Sequence, residues 1–124
     1  MALISDQVWQ VIQSTTEKYY GIRPDEKARS ILESTCEIYP FNGGCFIVSG
    51  NEIDCFVVPE KHGQWATKGL LRRVVGGLVE RFGKARTKAH KDNQKSICFA
   101  QRLGFKPVEE QNGFVSMELK SWAV

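Results

Sequence analysis

The chain has 124 residues, 42% hydrophobic and 25% charged, the bulk and balance of one globular domain (residues 1–124) that can bury its own core. No apolar run approaches the roughly 20 residues that cross a bilayer, and Met1-Ala2-Leu3-Ile4-Ser5-Asp6 lacks the basic and apolar blocks of a signal peptide, so a cytoplasmic location without membrane contact is expected. A formal net charge of +3 is too small to announce a nucleic-acid binder.

Ile4, Val8, Val11, Ile12, Thr15 and Tyr19 follow the three-and-four spacing of an amphipathic helix, with Ser5 as its N-cap and Gly21 as its stop. Beyond Pro24 a second helix carries Ala28, Ile31, Leu32, Cys36 and Tyr39 on one side and ends at Pro40. Asn42-Gly43-Gly44 reads as a turn. Two β-rich runs follow, Cys45 to Ser49 and Glu52 to Val58, joined by Gly50-Asn51 as a hairpin. In the second run Ile53, Cys55 and Val57 alternate with Glu52, Asp54 and Phe56. After the loop Pro59 to Gly63, a third helix from about Trp65 to Phe82 carries Leu70, Leu71, Val74, Val75 and Leu78. Gly76-Gly77 inside it costs about 1 kcal/mol per glycine relative to alanine, which points to close packing against a neighbour or to a locally weak helix.

Gly83 closes that helix and Lys84 to His90 reads as a strand. Asp92 or Asn93 caps a fourth helix, which stops at Leu103-Gly104 with the glycine left-handed. Phe105 to Val108 and Phe114 to Leu119 are the last strands, around Gln111-Asn112-Gly113. The order α-α-β-β-α-β-α-β-β predicts an α/β fold, a mixed sheet flanked by helices.

Cys36, Cys45, Cys55 and Cys98 form no Cys-x-x-Cys pair, and the last three sit in apolar contexts. They read as buried, reduced thiols rather than zinc ligands, and no metal site is expected. Lys84, Arg86, Lys88 and His90 alternate with Ala85, Thr87 and Ala89, so their charges share one strand face. That face is either solvated or receives a phosphate, nucleic acid or an acidic protein. Little aromatic interleaving accompanies it, which speaks against single-strand stacking and makes nucleic acid an unexpected partner.

Asn93-Gln94-Lys95-Ser96-Ile97-Cys98-Phe99-Ala100-Gln101-Arg102-Leu103-Gly104-Phe105 resembles the C-terminal signature of the GNAT acetyltransferases, Asn-x-x-small-x-x-apolar-aromatic-x-x-x-Gly-Phe. Val57 to Arg72 is similar to that family's strand, pyrophosphate loop and Leu-Leu helix, and the likeness spans residues 45–119. The resemblance implies acetyl-CoA as cofactor, held by Val57 and Val58 at the strand end, by Gln64, Trp65, Ala66, Thr67, Lys68 and Gly69 in the loop, and by Asn93 on the pantetheine arm. The physical logic is anion binding at a helix N-terminus. Glu52 or Asp54 stands where the family often places a carboxylate general base for an amine substrate.

The sequence departs from the pattern at specific places. By the Leu-Leu register the family's basic residue falls on His62 and its two glycines on Trp65 and Thr67, while Ala100 stands where the family has its tyrosine acid. His62 is either a phosphate contact, a base or a plain polar loop residue. The usual first strand is missing, and only one hairpin precedes the loop where the family often has three strands, so the domain reads as a GNAT shortened at its N-terminus. Two functions follow. One is an acetyl-CoA-dependent N-acetyltransferase acting on an amine. The other is a catalytically degenerate GNAT-like protein, without cofactor, that works through protein partners. In that second role it is loosely similar to head-assembly and minor virion proteins of short-tailed phages, which would place it in the host cytoplasm or the virion.

Overall fold

A computed structural model describes residues 3–62 and 66–122. Two helices, α1 (Asp6–Tyr20) and α2 (Glu26–Thr35), precede three strands, β1 (Glu37–Phe41), β2 (Gly44–Ser49) and β3 (Glu52–Val57). A 3-10 turn at Pro59–Lys61 leads to a helical run made of α3 (Lys68–Leu71), a π-helical segment Arg72–Gly76, and α4 (Gly77–Phe82). Strand β4 (Ala85–His90), helix α5 (Gln94–Arg102) and strands β5 (Lys106–Gln111) and β6 (Phe114–Leu119) complete it. The strands form one mixed sheet in the order β1-β2-β3-β4-β6-β5, with flanking helices. The β3–β4 pair is parallel, and β1–β2, β4–β6 and β5–β6 are antiparallel. The chain groups into two compact units, Met1–Ser49 with Asp54–Thr67, and Gly50–Ile53 with Lys68–Val124.

In the first unit, Ser5 caps α1 by accepting a hydrogen bond from the Val8 amide, and Gly21 ends the helix at φ 78°, both as the sequence predicts. Ile4, just before this helix, and Val8, Trp9 and Ile12 within it pack with Ile38, Cys45, Ile47 and Val58, and Ala28, Leu32 and Phe56 line the edge of the cluster. The second helix is shorter than its apolar pattern. Asp25 caps it, and Cys36 at φ −111°, ψ 159° has already left helical geometry. Glu37 to Phe41 therefore form strand β1, paired with β2 from Glu37↔Val48 to Phe41↔Gly44. Three strands, not one hairpin, precede the loop. Tyr39 and Pro40 belong to a strand because Ile38 reaches the core only from extended backbone, whereas Ile31 on α2 stays exposed. Pro40 is tolerated because β1 lies at the sheet edge, where its missing N–H breaks no central ladder. No strand precedes α1 among the described residues.

The thiols divide by environment. All four are free. Cys45 is buried, whereas Cys98, which its apolar neighbours assign to the interior, is exposed on α5 because Ala100 occupies the inward face. Burial pushes the Cys45 thiol up to about 12. Burial, aided by the neighbouring Cys45 and by Asp54, raises Cys55 as well. A thiol whose folded pKa lies above its unfolded one contributes stability in full below about pH 9, and that contribution falls as pH climbs towards the folded value. Urea unfolding between pH 9 and 11 will therefore show the wild type losing about 1.4 kcal/mol per pH unit more than Cys45→Ala. Parallel curves for the two proteins would contradict the burial of this thiol.

In the second unit the buried side chains are Leu71, Val74, Val75, Leu78, Ala85, Ala100, Phe105, Met117 and Leu119. Gly83 closes α4 at φ 80°. The glycine pair in the preceding run separates into two cases. A Cβ on Gly76 would stand 3.2 Å from the Trp122 indole, so this glycine admits a close neighbour, as its cost suggests. A Cβ on Gly77 would meet nothing within 4 Å, and nothing in the structure explains that residue. Asn112 (φ 54°) and Gly113 (φ 84°) make a two-residue turn with both dihedrals positive, which suits a hairpin. Strand β5 is an edge, exposed along its length, with Pro107 and a register shift between Pro107 and Glu109. Those are devices that discourage pairing with another chain.

Candidate functional site

In the first unit, strand β3 ends in Val57 and Val58, both buried. Their polar groups are already engaged. The Val58 amide donates to the Gly43 carbonyl at 2.8 Å, and His62 places Nε2 2.9 Å from the Val57 carbonyl. The intervening 3-10 turn makes that return contact by bonding Lys61 N to Val58 O and His62 N to Pro59 O. Gly43, at φ 86°, lets the turn sit close, since a Cβ there would be 2.4 Å from Lys61 Cγ. Asp54 is exposed on β3. Its charge reaches Tyr20, whose hydroxyl is raised above the usual phenol value first by burial and then by Asp54. Ala66 and Thr67 are exposed and in no regular element. Gln64 and Trp65 lie outside the described residues, and the third helix predicted from about Trp65 starts only at Lys68, since Ala66 and Thr67 are not helical.

In the second unit Glu52 is exposed and stands opposite Arg86 in the parallel β3–β4 register. Thr87 Oγ1 donates to the Ile53 carbonyl at 2.8 Å and anchors the start of β3. Lys68 and Gly69 open the helical run and are exposed. A Cβ on Gly69 would meet nothing within 4 Å among the described residues, so none of them requires glycine at that point. The run continues unbroken, with Leu71, Gly76 and Gly77 all in right-handed helical geometry.

Asn93 caps α5 through Oδ1, which accepts from Ser96 N at 3.4 Å, and its carbonyl accepts from Ile97 N. Its Nδ2 has no partner among the described residues. Ala100 is 6% exposed, so the position of the family's tyrosine faces inward and carries no acid. Gly104, at φ 104°, ends the helix with the Leu119 side chain close above it.

The basic strand face is partly neutralised. Glu118 Oε2 lies 3.4 Å from both Lys84 Nζ and Arg86 Nε, and His90 stands edge-on to Phe114 with ring centroids 5.0 Å apart. Lys88 alone of the four is exposed. The sequence carries no signal for the Glu118 pairing, because 34 residues separate Lys84 from Glu118. It also carries none for the His62 contact, which depends on a turn of irregular backbone. Among the described residues no group of three His, Cys, Asp or Glu is placed to hold a metal ion. No described helix is long and apolar enough to cross a membrane.

No protein-family model matches the sequence, and no curated protein matches it. Solved structures do match in fold. The ribosomal-protein-S18-alanine N-acetyltransferase of Escherichia coli superposes with a TM-score of 0.60 at 16% identity, covering 99% of this chain and 94% of its own. The PaiA N-acetyltransferase of Thermoplasma acidophilum, solved in complex with coenzyme A, gives 0.61 at 17% identity, covering 93% and 91%. A GNAT family acetyltransferase of Elizabethkingia anophelis, solved with acetyl-CoA bound, gives 0.58 at 13% identity, covering 82% and 87%. The mixed sheet with its parallel β3–β4 pair and flanking helices thus superposes on those structures over 82% to 99% of this chain: the chain has the GNAT fold.

Proposed function

We propose that this protein is an acetyl-CoA-dependent N-acetyltransferase acting on an amine. The observation that carries the reading is Gly69. Glycine is a weaker helix former than alanine, and among the described residues no neighbour within 4 Å demands one here. A ligand phosphate approaching the backbone would. The exposed ammonium of Lys68 and the backbone amides that open the helical run have the chemistry to bind such an anion. Thr67 and Ala66 lie just before that turn, and Asn93 Nδ2 remains as a donor for an amide carbonyl of the pantetheine arm. The strand end fits less readily, since Val57 O and Val58 N are occupied. The cofactor would supply an acetyl group activated as a thioester.

The chain's own part is orientation and proton removal. Asp54 or Glu52, both exposed, would accept a proton from the substrate ammonium directly or through water. Ala100 could not act as an acid, so a proton for the cofactor's sulfur would come from solvent. A thiol is a far stronger acid than an alcohol, so such a reaction would not require a donor from the protein. The second reading, a catalytically degenerate protein acting through protein partners, is favoured by the same Ala100 and by the occupied strand end.

Calorimetric titration with acetyl-CoA separates them. Asn93→Asp keeps the helix cap, because aspartate caps as well as asparagine, but removes the Nδ2 donor and adds a charge. Saturable binding by the wild type that weakens at least tenfold in Asn93→Asp is the expected result. No heat at millimolar ligand would select the partner-binding role.

A further inference from the structure

The Val57 carbonyl can only accept a hydrogen bond, so the 2.9 Å contact from His62 Nε2 fixes that nitrogen as the proton-bearing one. This bond is made five residues along the chain, across a tight turn that already holds itself by Lys61 N to Val58 O and His62 N to Pro59 O. His62 contributes nothing to the turn's own backbone bonding through its ring. The residue is exposed overall, and it is not part of the apolar cluster that includes Val58. Among the described residues its imidazole makes one polar contact, to the carbonyl of the last residue of β3.

The family resemblance implies that Val57 holds the cofactor, and the inference rests on the acetyl-CoA reading given under Proposed function, in which this strand end is the occupied part of the site. From this we infer that His62 is a gate: its Nε2–H occupies the Val57 carbonyl in the ligand-free protein and is displaced by an amide N–H of the incoming pantetheine arm. The exchange swaps one N–H···O bond for another, so the gate costs affinity without destroying the site. The cost is set by the net worth of the intramolecular bond and by releasing a side chain that returns to solvent. The Val58 amide does not need to move, because its bond to the Gly43 carbonyl is backbone to backbone. The imidazole is the only side-chain group bonded to either of the two strand-end residues among the described residues. The family's basic position thus carries a side chain that turns back onto its own strand.

The test compares acetyl-CoA affinity of the wild type, His62→Ala and His62→Gln by calorimetry. Glutamine places an amide N–H at about the reach of Nε2 and retains the gate, whereas alanine removes it. The inference requires His62→Ala to bind about 3- to 10-fold more tightly than the wild type, the span that a net hydrogen bond allows, with His62→Gln close to the wild type. Equal or weaker binding by His62→Ala overturns it and, where the wild type binds, leaves the cofactor reading intact. If none of the three binds at millimolar ligand, the cofactor reading itself fails and the gate falls with it. A ligand-free readout stands beside these. In protein labelled with ¹⁵N-histidine, the His62 Hε2 proton should be protected from solvent exchange and lose that protection when acetyl-CoA saturates the site. An unprotected Hε2 in the free protein would overturn the gate whatever the ligand does.

Discussion

Replacing Trp9 by alanine is expected to lower the stability of the folded chain by about 3–5 kcal/mol, the range for deleting a large aromatic side chain from a packed core. Trp9 is 2% exposed and sits in the cluster built by Ile4, Val8, Ile12, Ile38, Cys45, Ile47 and Val58. The Arg29 guanidinium lies 5.8 Å from its ring, so the truncation also removes a cation–π contact. The indole carries one liability, since its Nε1 is buried with no hydrogen-bond partner among the described residues. Leaving such a donor unpaired costs about 1–3 kcal/mol. Trp9→Phe keeps most of the ring and deletes that donor, and should therefore cost about 1 kcal/mol or less. Urea unfolding followed by far-ultraviolet circular dichroism measures both. A loss of less than about 1.5 kcal/mol in Trp9→Ala would mean that the indole does not anchor this core.

Glu33→Ala should cost about 2–3 kcal/mol, because it unmakes a clamp on the backbone of Ile4. The Ile4 amide donates to Glu33 Oε2 at 2.8 Å, and the Ile4 carbonyl accepts from the Arg29 guanidinium. Arg29 Nε and Glu33 Oε2 are 3.7 Å apart, one helical turn from each other on α2. Their side chains are only 16% and 15% exposed, so solvent screens this pair weakly. Asp6, also bonded to Arg29, is 91% exposed and adds little by comparison. The clamp ties the segment before α1 to the second helix, with no strand there to hold it. A double-mutant cycle with Arg29→Met should return a coupling energy above about 1 kcal/mol. Additive losses would show that the two side chains hold Ile4 independently.

The ends of the elements were legible wherever a single residue dictates its own backbone. Ser5, Gly21, Gly83, Asn93, Gly104 and Asn112-Gly113 could be read as caps and turns because side-chain oxygens and positive dihedrals act locally. The apolar periodicities of α1 and of the run ending at Phe82 were legible for the same reason, and so was the signature that led to the GNAT fold. Strand β1 was not. Its residues continue the helical spacing of α2, and only pairing with β2 pulls Glu37 to Phe41 into extended form. That pairing is a long-range event that a local pattern does not contain.

The site divides along the same line. The sequence by itself determined which residue types stand at positions 64–69, at the end of β3 and at the cap of α5, and that Ala100 stands where the resembled family has a tyrosine. Only the tertiary structure decided what those groups do with their hydrogen bonds. Glu118 takes the charges of Lys84 and Arg86 from across the sheet. The Gly43 carbonyl and the His62 ring take the polar groups of Val58 and Val57. The physical reason is that a hydrogen bond or ion pair depends on distances of about 3 Å between atoms, and chain folding, not spacing along the chain, sets those distances.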